Sequence, residues 1–418
     1  MNNEIIKELL SRYQTPMYVF DSSVLRKRVA YLRRNLPDNV SLCYAVKANT
    51  FIMKELEESV ERFEVCSPGE LSICRELGIP MEKIIFSGVY KTPSVIEELM
   101  EEKASIGIYT IESMVHYRLL KENAKKNNLN IKVMPRLTSG NQFGMGEDEV
   151  KQVIRELKDE ELFDVVGIHF FSGTQKTSMK KQRRELEYVK GFLQNLKDEL
   201  DYEPKELEFG PGFPVAYFMG EEFDEDEYLK NFSELLEEMD FKTKVTLELG
   251  RSIVASCGTY LTSVVDMKTN KCQNYAIIDG GINQLVYFGQ SMAMKHPVFE
   301  VYPERSEGDI NDWNICGSLC TVNDIIVKQL PVQALKEQDV LVFKNTGAYC
   351  MTEGISLFLS RDLPTVVLID EDIDEDIDGD TDAKADVNVD SNISEKLKYQ
   401  LVREHVPTYL LNRPVYKK

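Results

Sequence analysis

The sequence predicts an α/β chain: a (β/α)8, TIM-type barrel followed by a mostly β domain, sandwich- or barrel-like. Two observations carry this expectation. Between Pro16 and Leu249 short apolar runs alternate with segments of helical period, and a long series of β-then-α units requires a parallel sheet, closed or doubly wound. The strands also finish in polar or glycine-rich residues, which favours the barrel, whose site is built from those ends. Past Arg251 the alternation gives way to strands joined by turns. The boundary therefore falls near Ala255, giving a barrel over 22–255 and a β domain over 256–418 that also takes in 1–21.

The opening MNNEIIKELLSRYQTP is an amphipathic, charged helix pattern without the apolar core of a signal peptide. Pro16–Phe20 reads as a strand ending at the capping cluster Asp21-Ser22-Ser23, ahead of a helix over Val24–Asn35. Leu42–Val46 is an apolar strand and Phe51–Arg62 a helix. Phe63–Cys66 is a strand, and Ser67-Pro68-Gly69-Glu70 opens a helix that stops near Gly78. Alternation continues with strands at Ile84–Ser87, Ser105–Thr110, Ile131–Leu137, Val165–Phe171, Glu206–Phe209 and Val245–Leu249. Helical segments fall at Ser94–Glu102, Ile111–Asn127, Glu147–Asp159, Met179–Leu200 and Asp224–Met239. The β domain reads as strands at Ile253–Val265, Tyr275–Ile278, Trp313–Cys316, Asp324–Val327, Asp339–Phe343 and Thr365–Leu368.

Composition bounds the function. The 418 residues carry 70 acidic against 50 basic side chains, a net charge of −20. Such a surface repels nucleic acid and anionic membranes, so neither is an expected partner. No run approaches a membrane span. The eight cysteines are scattered without CxxC spacing and far from the four histidines, which argues against a zinc site and for reduced thiols in a cytoplasmic enzyme. Part of the negative charge is local, in the low-complexity tract Asp370–Asp390, expected as a disordered loop over about 370–392. Its DxDxDG-like spacing at Asp374–Gly379 resembles a calcium loop, but Ala385 stands where a bidentate Glu is needed.

The stretch that organises the chemistry is Ser41–Thr50, SLCYAVKANT. It delivers Lys47 at the end of an apolar strand, where desolvation lowers an amine's pKa and frees it as a nucleophile. A strand-end lysine reaching into solvent is the plainer alternative. The hexapeptide Tyr44-Ala45-Val46-Lys47-Ala48-Asn49 resembles the pyridoxal-phosphate lysine motif of the barrel-type (fold-type III) decarboxylases for ornithine, arginine and diaminopimelate. Further segments resembling that family follow in order as far as Arg361.

The resemblance implies a cofactor, pyridoxal 5'-phosphate, held as a Schiff base by Lys47. Phe209-Gly210-Pro211-Gly212-Phe213 resembles the family's phosphate loop, although Pro211 departs from the usual glycine and removes a donor. Gly250 and Arg251 extend that cradle, and Tyr349, in Gly347-Ala348-Tyr349, would donate to the phosphate. Glu248 matches the carboxylate facing the pyridine nitrogen. Glu64 and Arg136 match charged positions near the cofactor, with a strand-end ion pair as the alternative for both. In Ile168–Gln175, His169 is retained as a packed, hydrogen-bonded residue, Gly173 belongs to the following turn, and Phe171 stands where the family's ring-stacking histidine lies. Asn141–Met145 resembles a loop near the cofactor. Cys320, in Gly317–Thr321, would reprotonate the carbon after CO2 leaves, acting across a head-to-tail homodimer with shared active sites. Asp279 and Thr321 match substrate-side positions. No metal is implied.

The substrate is where the pattern departs. Thr321 replaces the acid that usually follows the cysteine, and Ile282–His296 contains no arginine. These features resemble the divergent branch that decarboxylates carrier-protein-bound glutamate, with a neutral distal group suited to Thr321 and Gln284. Ordinary meso-diaminopimelate decarboxylation is the alternative, and a non-catalytic regulatory paralogue is the reading from another class. Intact Lys47, Glu248 and Cys320 weigh against the last.

Overall fold

The computed structural model describes residues 1–371 and 397–415. All but the first two residues of the acidic tract, including the calcium-loop spacing, lie outside the described residues. The chain divides into two compact units: Arg26–Ala216 with Glu222–Val254, and Met1–Leu25 with Tyr217–Glu221 and Ala255–Lys418. Among the described residues no helix is long and apolar enough to cross a membrane.

Strand β1 (Met17–Asp21) belongs to the second unit, and the first begins with β2 (Val40–Ala45). Then come β3 (Arg62–Val65), β4 (Ile84–Phe86), β5 (Ile108–Ile111) and β6 (Ile131–Leu137). After β6 come β7 (Phe163–Val165), β8 (Gly167–Phe171), β9 (Glu206–Gly210) and β10 (Lys244–Leu249). Each pairs in parallel with the next in the ring β2-β3-β4-β5-β6-β8-β9-β10, and β10 returns to β2 through Leu247↔Leu42 and Leu249↔Tyr44. β7 continues into β8 with Val166 between them and pairs with the start of β6. The ring closes, so the barrel is confirmed over the doubly wound sheet. Paired positions on parallel strands face the same side. Inside, Cys43, Ile85, Ile108, Met134 and Val166 form an apolar plug, with buried polar side chains such as Glu208 and Thr246 in the same barrel.

The helices start where their caps require. Ser67 Oγ accepts from Glu70 N at 3.2 Å ahead of the helix Pro68–Glu76, and Asp224 caps Glu225–Met239 through Glu227 N at 2.9 Å. Two expected elements differ. The helix predicted over Phe51–Arg62 is one turn, Met53–Leu56. The chain beyond it is drawn to β2, because Glu61 N donates to Leu42 O at 3.1 Å and the Glu61 carboxylate accepts from Leu42 N at 2.7 Å. The strand predicted from Ile253 opens instead with a helical turn, Arg251–Val254, since Ile253 and Val254 N–H groups both fold back on Gly250 O. Local β propensity loses there to a helical turn closed on Gly250.

The second unit is a nine-stranded sheet built on β11 (Gly258–Asn270). Its first half pairs with β1, its middle with β16 (Val340–Phe343), and its far end with β12 (Gln273–Ile278). β13 (Phe299–Tyr302) pairs with β16, while β14 (Ile310–Cys316) and β15 (Ile325–Gln333) extend one edge. β17 (Thr365–Glu371) and β18 (Leu397–Arg403) extend the other. β13 and β18 were not anticipated: both alternate apolar with charged or polar residues over short spans. The N-terminal helix Asn3–Arg12 lays Ile5, Ile6 and Leu9 on Met17, Val19, Leu261 and Val367.

Candidate active site

β2 ends one residue earlier than expected, and a single 3-10 turn, Val46–Ala48, carries Lys47 away from the sheet. Its side chain is 39% exposed, so the expected desolvation is not what surrounds the amine. Two carboxylates do: Lys47 Nζ lies 2.8 Å from Glu64 Oε2 on β3 and 3.2 Å from Glu248 Oε1 on β10. The Cys66 thiol stands 3.8 Å away. The second oxygen of Glu248 meets His169 Nε2 at 3.1 Å, and His169 is fully buried. Lys47, Glu64, His169 and Glu248, singled out separately in the sequence, thus form one connected cluster. The desolvated lysines are Lys91, pushed down to about 8 by burial, and Lys176, also lowered by burial. Lys91 gives its protons to Phe86 O, Ser87 O and Thr110 Oγ1, so it is tied up.

The cluster's charges follow from what each acid has beside it. Burial alone raises Glu248, but the Lys47 ammonium and the His169 hydrogen bond outweigh it and hold the carboxyl well below the usual range. Glu64 goes the other way, raised by burial and by Glu248 beside it. Burial disfavours the His169 imidazolium, yet Glu208 and the bond to Glu248 raise its pKa overall. Glu208, which sequence reasoning passed over, sits on β9 in register with His169. It is fully buried, neither oxygen has a hydrogen-bond partner among the described residues, and burial pushes it up to about 7.

The remaining barrel residues flank this cluster. Gly210 and Gly212 are spaces that a side chain would fill: a Cβ on Gly210 would lie 2.1 Å from the Phe171 ring, and one on Gly212 2.1 Å from Gly173 O. Phe171, the glycine-rich loop and the Gly173 turn are therefore packed together. Gly250 ends β10, and the buried Arg251 opens the next helical turn. Arg136 pairs with Glu112 at 2.9 Å, not with Glu64, and its guanidinium lies 4.9 Å from the Phe143 ring centroid in the Asn141–Met145 loop. Glu112 had not been singled out.

In the second unit Cys320 is exposed on the loop between β14 and β15. The loop is braced by another residue not foreseen, Asp324, whose oxygens accept from Leu319 N at 2.7 Å and Ile282 N at 2.8 Å. A Cβ on Gly317 would lie 2.3 Å from that carboxylate, which is why glycine stands there. Thr321 is half-buried beside Cys320, and Tyr349 is half-buried at a φ of 64°. Two substrate-side expectations change. Asp279 Oδ2 accepts from Thr15, and Oδ1 from Thr262 Oγ1 and Ser263 N, so it braces its own turn. Gln284 is buried, accepting from Tyr260 OH and donating to Asp362 O, so it serves first as a brace of the protein.

Comparison with known proteins decides the family. The pyridoxal-binding domain model of the pyridoxal-dependent decarboxylases matches residues 22–255, more than half of the chain. The chain belongs to the pyridoxal-dependent decarboxylases. Over 392 residues this decarboxylase is 28% identical to the L-glutamyl-[BtrI acyl-carrier protein] decarboxylase of Niallia circulans, covering 87% of the chain and 90% of the relative. It is equally 28% identical, over 363 residues, to the diaminopimelate decarboxylase of Aquifex aeolicus, with 82% and 84% covered. The crystal structure of diaminopimelate decarboxylase from Helicobacter pylori complexed with L-lysine superposes with a TM-score of 0.80 at 21% identity, over 97% of this chain and 98% of that one. That likeness concerns the fold.

The enzyme is a carboxy-lyase that uses pyridoxal phosphate. The residues present fit that cofactor: a lysine amine, an ionised carboxylate locked by a buried histidine, and a loop whose glycines leave no room for side chains. The Glu64, His169 and Glu248 ligand atoms are close enough together to hold a metal ion, but the Lys47 ammonium already bridges the two carboxylates.

Proposed function

We propose that this enzyme decarboxylates an amino acid or amino-acid conjugate in the cytoplasm, as a homodimer with shared sites. The observation that carries the proposal is Lys47 held between Glu64 and Glu248, with His169 behind Glu248. Lys47 would hold the cofactor through its amine, with Gly173, Gly210, Gly212, Gly250, Arg251 and Tyr349 around its phosphate and Phe171 on its ring. When bound, pyridoxal phosphate supplies an electron-accepting ring that takes the electron pair left by departing CO2. The chain's own residues then have separable tasks. Glu248, kept ionised, presents a negative charge where the ring nitrogen needs one. His169 fixes the direction of that carboxylate. Glu64 keeps Lys47 oriented. Cys320 of the partner subunit returns a proton to the carbon.

Borohydride reduction of the cofactor-loaded protein, followed by peptide mapping, should place the label on Lys47. A label on Lys91 or Lys176, or none, overturns the assignment.

For the substrate, a neutral or extended distal group is favoured. A charged end taken from water needs a charged partner. Thr321 supplies none, and the segment 282–294 has no arginine. The relative named for a carrier-protein-bound glutamate fits that reading. The relative named for diaminopimelate supports the second. A CO2-release screen of L- and D-amino acids, meso-diaminopimelate and acyl-carrier conjugates separates them. Turnover of free meso-diaminopimelate at about 10⁴ M⁻¹s⁻¹ or better would replace the first reading by the second.

A further inference from the structure

The glycine-rich loop is gripped from behind by a buried polar cluster that the mechanism does not use. Pro211 has no N–H, so the donors this loop can offer an anion are those of Gly212 and Phe213. A trans peptide points its C=O and its N–H in opposite directions. Whatever holds the carbonyls of Pro211 and Gly212 therefore sets where those two N–H groups aim. Pro211 O accepts from Gln182 Nε2 at 2.7 Å, and Gly212 O accepts from Lys176 N at 2.9 Å. Gly210 O is held as well, by Lys176 Nζ at 3.2 Å. All three carbonyls thus face Lys176 and the helix Met179–Leu200 that carries Gln182. The N–H groups of Gly212 and Phe213 turn away from it, and neither donates to a protein acceptor among the described residues. Gly212 takes a φ of +60°, a conformation that helps successive N–H groups converge on an anion.

The grip is built, not incidental. Gln182 is wholly buried, and Lys176, Glu185 and Tyr228 nearly so. Lys176 Nζ also bonds Glu185 Oε2 at 2.8 Å and Ser172 Oγ at 3.0 Å. Tyr228 OH receives Gln182 Nε2 at 2.9 Å and donates to Lys176 O at 2.6 Å. Because Pro211 O can only accept, the atom facing it must be the amide nitrogen, which settles the orientation of Gln182. Gln182 Oε1 is left without a partner among the described residues, but the donors and acceptors named here hold one another, and buried networks of this kind rigidify what they touch. Lys176 and Glu185 neutralise each other, so the cluster contributes direction rather than net charge.

We propose that Gln182 and Lys176 are positioning residues for the cofactor's phosphate, aiming the Gly212 and Phe213 N–H groups and offsetting the donor that Pro211 lacks. This rests on the reading that the chain binds pyridoxal phosphate through this loop. The effect must then fall on the phosphate and not on the ring. The full-length chain, freed of cofactor, is titrated with pyridoxal phosphate and, separately, with pyridoxal, which has no phosphate. Gln182→Leu should lower the preference for pyridoxal phosphate over pyridoxal about tenfold, as expected for one misaligned hydrogen bond. Tyr228→Phe, which frees both the Gln182 amide and the Lys176 backbone, should lower it in the same direction, with pyridoxal affinity unchanged in both. Thermal melts of each variant without cofactor show whether it folds, and if Gln182→Leu does not, Tyr228→Phe carries the test. A folded variant that keeps the parent's preference, or loses affinity for both compounds equally, overturns the proposal while the cofactor reading stands. A parent chain with no preference for the phosphorylated compound overturns both.

Discussion

Among carboxyl groups buried together, the proton settles on the one with the fewest compensating partners, and in this barrel that is Glu208. Glu206, two residues earlier on β9, has Arg62 at 2.6 Å and the Thr246 hydroxyl. Glu248 has Lys47 and His169. Glu208 lies among Cys43, Glu64, Glu206, His169 and Glu248 with no hydrogen bond of its own. Its pKa rises from the ordinary 4.5 to about 7. Below about 4.5 folded and unfolded chains both hold this proton. Between there and about 7 the unfolded chain releases it while the folded chain keeps it, so stability falls as pH rises. Above 7 the penalty is complete, on the order of 3 kcal/mol. Glu208→Gln removes that titration, and the variant should gain on the parent by roughly 2–3 kcal/mol between pH 5 and pH 8, read from urea unfolding at both values. An identical pH response in both proteins would show that Glu208 is ionised throughout. The sequence did reveal Lys47, through its place at the end of an apolar strand, and Glu64, His169 and Glu248, through their match to the family's pattern. It could not reveal Glu208, which lies two residues beyond Glu206 on the same strand; the partners that tell the two apart, Arg62 on β3 and Thr246 on β10, are distant in sequence.

At the scale of elements, legibility followed how local the determining contacts are. Helices with a capping side chain and a sustained apolar stripe, such as Met179–Leu200, could be placed from the sequence to the residue. Segments decided by distant partners could not, as with the stretch after Leu56 that β2 captures. The loop between β14 and β15 is of the second kind. Its cysteine stood out, but its brace did not, because Asp324 works on the backbone of Leu319 and on Ile282, far away in sequence. Asp324 is almost fully buried, and burial raises its pKa despite the two amide donors. Asp324→Asn would set an amide NH2 against one of those N–H groups and should cost about 1–3 kcal/mol in equilibrium unfolding. The same change releases Cys320, so alkylation of that thiol by iodoacetamide should quicken. Unchanged stability with unchanged alkylation would mean that the loop holds its shape without Asp324.

At the scale of the whole molecule, the two groups expected to do the chemistry belong to different compact units, Lys47 to the barrel and Cys320 to the β unit. The surface around Cys320 is apolar for an exposed loop: Val322 is 89% exposed and Met292 78%. Both line a cavity of about 440 Å³ together with Ile282, Tyr287 and Ile325. Uncovered apolar surface of that kind is characteristic of a face that another molecule covers. A second copy of the chain is the expected cover, joined head to tail so that each barrel meets its partner's Cys320. The arrangement has an arithmetical consequence. Lys47→Ala and Cys320→Ala proteins should each be inactive, or nearly so, as homodimers. After subunit exchange about half of the dimers are mixed, and each mixed dimer pairs one doubly damaged site with one intact site. Activity should therefore return to about a quarter of the parent's, and no further. Exchange is checked independently by labelling the two variants with different fluorophores and following energy transfer. Verified exchange without recovery would mean that each barrel is served by its own chain's cysteine, whereas an active Cys320→Ala homodimer would mean that the proton comes from another group. The double variant gives an independent check: mixed with the parent, it should leave every mixed dimer without an intact site if Lys47 and Cys320 act across the interface, and with one intact site if they act within one chain.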